Sequence, residues 1–310
     1  MAILVKAGGA YAAVDTIYHK AAGVYSPVEG VFSKNAGVYE SIGGGGGALP
    51  GLVAMFHAGN YSSGQLWTNE VAAPADGSLQ ADHDWWLGRS DAADGFDPTF
   101  TAGPPAYFTG SGGKIFSQAK AAAANVVNFY RNMHHAGTKF SILAKLRWTL
   151  QLSGDIIPIF DSGCSDQGGG FTSRAVTLDV GGTRGNPAGR MSLNILRDSG
   201  GTYSNWNYTD TALPDGVDVV VGVSFDGTNA VPSFFFKNDA YWPVNGGANT
   251  FAGTLTTPGS LQTTNRPAIA ARADFGGSTL NFARFHSFAI FNTNLTLEQM
   301  IAANAVINPA

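Results

Sequence analysis

Short apolar or alternating segments recur along most of this chain, separated by stretches rich in Gly, Asn, Asp and Ser. Alternation with a period of two is typical of half-buried strands, and clustered turn residues mark the connections between them. Many short strands at a spacing of about 8 to 15 residues predict an all-β fold, an antiparallel β-sandwich. The clearest segments are 140–152, 156–160, 175–180, 191–196, 217–225, 233–236 and 283–291.

Two segments have a helical pattern instead. Residues 117–133 are Ala-rich with apolar positions near helical spacing, although the β-branched and aromatic residues of 126–130 suit a strand equally well. Residues 296–306 begin with Thr296, a plausible N-cap ahead of Glu298. One or two short helices are therefore expected beside the strands.

The run Phe234–Phe236 places aromatic side chains on both faces of a predicted strand. One face would belong to the core, and the other must also meet an apolar surface. Another sheet is the simplest partner, and a subunit interface is the alternative.

The first 42 residues contain a repeat with a period of 14. Each unit has residues of extended character around Lys, a Gly-containing turn, and an aromatic followed by a β-branched residue, which predicts a β-hairpin. Hairpins of this size cannot bury a core alone and need a partner. The aligned columns are Lys6, Lys20 and Lys34; Gly9, Gly23 and Gly37; Tyr11, Tyr25 and Tyr39; and Val14, Val28 and Ile42.

An uninterrupted glycine run, Gly43 to Gly47, leads into Ala-Leu-Pro and reads as a linker of high backbone freedom. The predicted organisation is a repeat segment at 1–42, a linker at 43–50 and a jelly-roll body at 51–310.

Composition narrows the function classes. Charged residues make up 13% of the chain, about half of the roughly 25% that is usual for soluble domains. A net charge of −4 supplies no basic field for a phosphate backbone, so nucleic acid is not an expected partner. The single Cys164 cannot form an internal disulfide. The N-terminus is too short an apolar stretch for a signal peptide and no long apolar run follows, so we expect synthesis in a cytoplasm without membrane insertion.

Three segments resemble the concanavalin A-like lectin/laminin-G superfamily as it occurs in phage virion proteins. They are NMHHAGTKFSI at 132–142, DVVVGVSFD at 218–226, and FARFHSFAIFNTNLTLEQM at 282–300. The resemblance implies a jelly roll over about residues 85–308. The N-terminal repeats resemble the short Gly-Val-Tyr repeats of phage tail-fibre and head-fibre proteins. This implies a virion protein attached to other virion proteins through residues 1–42, by way of Lys6, Tyr11, Lys20, Tyr25, Lys34 and Tyr39, and expected as a homotrimer.

The same superfamily includes glycoside hydrolases, which carry paired carboxylates on one strand. No Glu-x-Asp-x-Glu pattern occurs here, so we expect no enzyme activity. The alternative, a polysaccharide depolymerase, would draw its two acids from Asp179, Asp198 or Asp210.

No cofactor is expected, with calcium as the one candidate. Asp94 and Asp97, with the Gly95 carbonyl, could converge on a calcium ion in a turn. The alternative is that these residues form Asx-turns. The pair His134–His135 is expected at a strand entrance rather than in a metal or catalytic site.

Sugar binding needs an aromatic face for the ring and planar polar groups beside it. The best candidate is the segment YSNWNYTD, where Trp206 is flanked by Tyr203, Asn205, Asn207 and Tyr208. Trp85–Trp86 and Tyr241–Trp242 are second choices, and packing of Trp206 in the core or at a subunit contact is the alternative. Host-surface carbohydrate adhesion is the predicted function, and a structural spacer would account for the same residues.

Overall fold

The protein is described here from a computed structural model that divides into two compact units, Met1–Leu49 and Pro50–Ala310. In the first unit, the description is limited to the backbones of the strands. The described residues of the second unit are 50–110, 113–119, 128–149, 157–163, 176–181, 189–195, 207–228, 232–244, 266–271 and 282–308.

The first unit forms three two-stranded antiparallel hairpins. Their registers repeat with the sequence, because Lys6 pairs with Tyr11, Lys20 with Tyr25 and Lys34 with Tyr39. The hairpin prediction for the period-14 repeat is thereby confirmed. The strands are β1 (Ile3–Ala7), β2 (Ala10–Val14), β3 (Tyr18–Ala21), β4 (Val24–Pro27), β5 (Val31–Asn35) and β6 (Val38–Gly43).

The second unit contains two eight-stranded antiparallel sheets, which confirms the predicted all-β sandwich. Sheet I consists of β7 (Leu52–His57), β10 (Thr99–Thr101), β11 (Tyr107–Gly110), β13 (Phe140–Trp148), β18 (Asp218–Phe225), β19 (Phe234–Lys237), β20 (Ala240–Trp242) and β22 (Phe282–Phe291). Sheet II consists of β8 (Leu66–Trp67), β9 (Trp85–Leu87), β12 (Phe116–Gln118), β14 (Ile157–Asp161), β15 (Val176–Val180), β16 (Arg190–Ile195), β17 (Asn207–Ala212) and β21 (Ala268–Ile269).

The core is rich in aromatic rings. Trp67 lies at its centre, with ring centroids 4.9 Å from Phe108, 5.0 Å from Phe116 and 5.3 Å from Phe56. All four side chains are almost fully buried. Tilted and edge-on pairs at these separations add about 0.5–1.5 kcal/mol each beyond the burial of their area.

The C-terminal strand β22 lies in the middle of sheet I. One of its edges pairs with β13, and its other edge pairs with β11 near Phe285 and with β7 from Ser287 to Phe291. The first strand of the body therefore lies beside its last strand.

The second predicted helix is confirmed, whereas the first is helical at its end and extended at its start where it is described. Helix α2 (Leu297–Ile307) begins after Thr296, whose hydroxyl accepts a hydrogen bond from the Gln299 N–H. Within the predicted helix 117–133, the strand β12 pairs with β9 and β21, and only α1 (Asn128–Asn132) is helical among the residues described there. Pairing between two strands outweighs the helical propensity of the Ser-Gln-Ala segment.

Helix α2 covers part of the outer face of sheet I. Gly222 pairs with Phe236 across β18 and β19, and a Cβ built at Gly222 would lie 2.8 Å from the Met300 methyl group. Phe236 on this face is fully buried, as is Phe235 on the core face. The expectation that another sheet covers the outward aromatic is corrected, because the helix lies on that face.

Candidate functional site

A row of mostly polar side chains crosses sheet II on the face opposite the core. In an antiparallel sheet directly paired residues project to the same face, so the register defines the row. The core-facing neighbours, such as Leu178 and Leu193, alternate with it. We call this the polar face, and its members in order across the sheet are Tyr208, Ser192, Asp179, Asn194, Thr177, Asp161, Ala268, Ser117, Trp86 and Leu66.

Carboxylates on the polar face are held by hydrogen bonds within their own sheet. Asp179 Oδ2 accepts from Thr177 Oγ1 at 2.8 Å and from Asn194 Nδ2 at 2.5 Å. Asp161 Oδ1 accepts the Gly163 N–H at 2.9 Å. These four polar side chains are more than 90% buried, so they form a preorganised polar floor.

One end of the polar face carries a stacked arginine and tryptophan. The Arg266 guanidinium lies 4.3 Å from the centroid of the Trp86 ring, and its Nη1 donates to the carbonyls of Gln118 and Ala119 at 3.2 Å. Both side chains are partly exposed. Burial lowers the pKa of Arg266, which the charge of Asp91 partly offsets.

The other end carries a second pair of the same kind. The Arg190 guanidinium lies 5.5 Å from the Tyr208 ring centroid and donates to the Thr209 carbonyl at 3.3 Å. Tyr208 belongs to the predicted sugar-binding segment, and the Asn207 backbone starts the same strand. The other members, Tyr203, Asn205 and Trp206, lie outside the described residues.

In each of the two second-choice aromatic pairs, the neighbouring residues lie on opposite faces of their strand. Trp85 is fully buried in the core while Trp86 lies on the polar face. Trp242 is buried and donates its indole N–H to Asp210 Oδ1 at 3.0 Å, whereas Tyr241 is 53% exposed. Strand alternation in the sequence could have separated the members of each pair, but it gave no sign of the two arginines beside the polar face.

The calcium candidates form a tight local turn. Asp94 Oδ1 accepts the Phe96 N–H at 2.7 Å, and Asp97 Oδ2 accepts the Asp94 N–H at 3.1 Å. Arg89 Nε donates a hydrogen bond to Asp94 Oδ2 at 3.2 Å, and Lys114 Nζ donates one to the Gly95 carbonyl at 3.0 Å. A calcium ion would have to displace both cations, so the arrangement favours the Asx-turn alternative.

In the same turn, the pKa values of the two carboxyl groups shift in opposite directions. Burial and the neighbouring Asp94 carboxylate raise the pKa of Asp97. Burial acts on Asp94 in the same direction, but hydrogen bonds from Phe96 and Arg89 outweigh it and hold the pKa of Asp94 below its ordinary value.

The acids named for a depolymerase differ in their surroundings where they are described. Asp179 is buried on the polar face, whereas Asp210 is exposed and bonded to Trp242. Asp198 lies outside the described residues. His134 and His135 are both buried just before β13, with ring centroids 4.2 Å apart.

None of the helices described is long and apolar enough to cross a membrane. In the same part of the chain, no group of three or more His, Cys, Asp or Glu side chains is placed to hold a metal ion.

Comparison with known proteins places the body among sandwich domains. No family model and no curated protein matches the chain. Trypanosoma rangeli sialidase in complex with sialic acid aligns with 86% of this chain at 13% identity and a TM-score of 0.50. The CBM40 of Ruminococcus gnavus IT-sialidase, bound to α2,3 sialyllactose, covers 64% of this chain at 12% identity and a TM-score of 0.45.

This chain spans about a third of the sialidase chain, 35% of its length, and 95% of the CBM40 chain. At such identity the likeness to the sialidase concerns the fold alone. The body thus belongs to the class of antiparallel β-sandwich domains.

Proposed function

We propose that this chain is a non-enzymatic structural protein of a bacteriophage-like particle, a fibre, spike or decoration, that binds host-surface carbohydrate through the polar face of sheet II. The observation that carries the binding proposal is the presence of the two partly exposed aromatic–arginine pairs, Trp86–Arg266 and Tyr208–Arg190, at the two ends of the polar face. Partly exposed aromatic rings contact the apolar face of a sugar, and the guanidinium groups beside them bond its hydroxyls.

The neighbouring sialidase supports the same ligand class, since the third of it that aligns has this fold and the protein was solved in complex with sialic acid. The predicted segment around Trp206 is adjacent along the chain to Tyr208, which lies on the polar face. A sugar held there would lie against Tyr208, which the sequence already singled out.

A binding role fits the carboxylates better than catalysis. Glycoside hydrolysis needs two carboxyl groups on opposite sides of the scissile bond, one of them free to exchange a proton with it. Asp179 Oδ2 instead accepts hydrogen bonds from Thr177 and Asn194, and Asp161 Oδ1 accepts one from the Gly163 N–H. Incubating bound glycans with the full chain should therefore release no new reducing ends; their release would establish the depolymerase instead.

The particle role is supported by the three hairpins of the repeat segment, each of which pairs its Lys with its Tyr. Because the hairpin occurs three times, it can make the same kind of contact three times. Such a segment suits attachment to other virion proteins or trimer formation. Several copies on one particle would raise avidity by about 10²–10⁴ without any new contact.

The binding test begins with the full chain on an array of bacterial surface glycans, followed by calorimetry on the strongest ligand. Tyr208→Ala and Trp86→Ala should each weaken binding by about tenfold, the loss of one ring contact of about 1.4 kcal/mol. Tyr241→Ala, which removes an exposed tyrosine from the other sheet, is the matched control. Absence of any glycan ligand, or equal effects of all three variants, would favour the spacer.

The particle test is a cryo-EM map of the intact virion in which residues 1–42 can be traced. Three chains meeting there with the body directed outward would support the fibre proposal. Absence of the protein from particles would remove it and leave a free lectin-like protein.

A further inference from the structure

A second surface of the body, on the outer face of sheet I, collects cations around one carboxylate. We call it the cationic patch. It lies beyond the end of α2, and none of its side chains belongs to the polar face. Its members are Tyr107, Lys145, Arg147, Asp218, Arg284 and His286.

The centre of the patch is a row of three directly paired residues on three strands, Asp218, Arg147 and Arg284. Arg147 Nε and Nη2 donate to Asp218 Oδ1 and Oδ2 at 3.0 and 2.9 Å, a two-pronged pair that occupies both oxygens. His286 Nε2 lies 3.3 Å from Asp218 Oδ1, and its Nδ1 faces the Ala106 carbonyl at 3.0 Å.

Arg284 is therefore left with donors to spare. Its Nη1 is 3.6 Å from Asp218 Oδ2, beyond hydrogen-bond distance, and the structure records no hydrogen bond from this guanidinium to any described residue. The group is held in place by the Tyr107 ring, whose centroid lies 4.8 Å from its Cζ. The side chain is 32% exposed, so an external ligand can reach it.

Positive charges outnumber negative charges among the side chains of the cationic patch. Arg147 and Arg284 lie directly opposite each other, an arrangement of like charges that destabilises a strand pair. Lys145 adds a third cation, bonded to the neutral Asn308 side chain, and Asp218 is the one carboxylate in the patch. An additional anion at Arg284 would relieve the repulsion, in a chain whose acids outnumber its cations by 22 to 18.

We propose that the cationic patch binds the carboxylate of an acidic sugar, with Arg284 as the principal donor and Lys145 as a supporting charge. The planar guanidinium fork matches a carboxylate, and the exposed third of the Arg284 side chain lets a carboxylate of a surface-bound sugar approach it. Asp218 and His286 act as positioning residues that hold Arg147 beside the ligand. The proposal is independent of the polar face, since each surface belongs to a different sheet.

The test is a ligand-observed NMR titration of the full chain with methyl β-D-glucuronide and methyl β-D-glucoside, which differ only at C6. The glucuronide should bind at least about tenfold tighter at low salt, and this preference should shrink as salt screens the exposed charges. Arg284→Gln should abolish the preference, whereas Arg89→Gln, an exposed arginine in the 89–97 turn, should keep it. Thermal melting of both variants establishes that they are folded.

Equal binding of the two glycosides, or a preference that survives Arg284→Gln, would overturn the proposal. Acetate distinguishes the two sources of a carboxylate: acetate that binds as tightly as the glucuronide would keep the anion site and overturn its assignment to a sugar. Loss of glycan binding in Tyr208→Ala with the glucuronide preference intact would separate this site from the polar face.

Discussion

His57 and Glu70 form an ion pair that also holds the end of helix α2. His57 Nδ1 lies 2.7 Å from Glu70 Oε2, and its Nε2 contacts the Val306 carbonyl at 3.0 Å. Burial alone would lower the pKa of His57, but the Glu70 carboxylate and the Val306 carbonyl outweigh it and the pKa is raised. The protonated imidazole therefore links β7 to the C-terminal helix.

This pair predicts a pH-dependent contribution to stability. Because the folded pKa is raised, the contribution is fully present below the unfolded value of about 6.5 and is lost as pH rises through the folded pKa. The difference in unfolding free energy between the wild type and His57→Gln should therefore be larger at about pH 5.5 than at about pH 8.5 in urea titrations.

His286 supplies a contrast of opposite sign. Burial lowers its pKa despite its contacts with Ala106 and Asp218, so the unfolded chain binds the proton more readily. The wild type should then gain stability relative to His286→Gln as pH rises over the same range. A change in the same direction for both variants would contradict the assigned electrostatics.

Gly88 and Gly64 have nearly the same left-handed backbone but different surroundings. Their φ angles are +85° and +95°; a Cβ at Gly88 would overlap Asp97 Oδ1, and one at Gly64 meets nothing within 4 Å. Gly64→Ala should cost about 1 kcal/mol for backbone strain. Gly88→Ala should cost a further 1–3 kcal/mol or so from crowding, measured by chemical unfolding.

Ser141 connects β13 to the turn that precedes α2. Its hydroxyl accepts the Leu295 N–H and donates to the Thr293 carbonyl, both at 2.9 Å, in a fully buried setting. Ser141→Ala should destabilise the fold by about 1–3 kcal/mol, because the buried Leu295 N–H loses its acceptor. The exposed Ser62→Ala is the control and should stay within about 0.5 kcal/mol of the wild type.

Thr296 and Gln299 form a reciprocal capping pair at the start of α2. The Thr296 side chain accepts from the Gln299 N–H at 3.3 Å, and the Gln299 side chain accepts from the Thr296 N–H at 2.9 Å. Thr296→Ala should cost about 1 kcal/mol, and Thr296→Ser should restore most of it. An alanine variant as stable as the wild type would show that packing alone holds the helix.

The elements that the sequence predicted well are those with long and regular patterns. Strands β13, β18 and β22 have eight to ten residues of apolar or alternating character, and α2 has both a capping residue and helical spacing. The local sequence is enough to predict such elements, because each is long enough to show the periodicity of a strand or a helix.

Shorter elements depend on partners distant in sequence. Strands β8 and β21 have two residues each, too few to show any period. Strand β12 follows from its two neighbours, although its sequence favours a helix. The aromatic members of the polar face could be found by alternation. The contact between Arg266 and Trp86 could not, because the two residues are 180 positions apart along the chain. For the cationic patch a local signal existed, since Lys145 and Arg147 alternate within an apolar strand.

The position of β22 in the middle of sheet I has a consequence for biosynthesis. Its partners β7, β11 and β13 are translated long before residues 282–291, so their edges lack this neighbour until those residues have left the ribosome. Pairings of such long separation fold slowly and leave apolar strand edges open to association. The nascent body should therefore depend on chaperones until β22 is available, and a chain released before residue 282 would lack the strand that joins the two halves of sheet I.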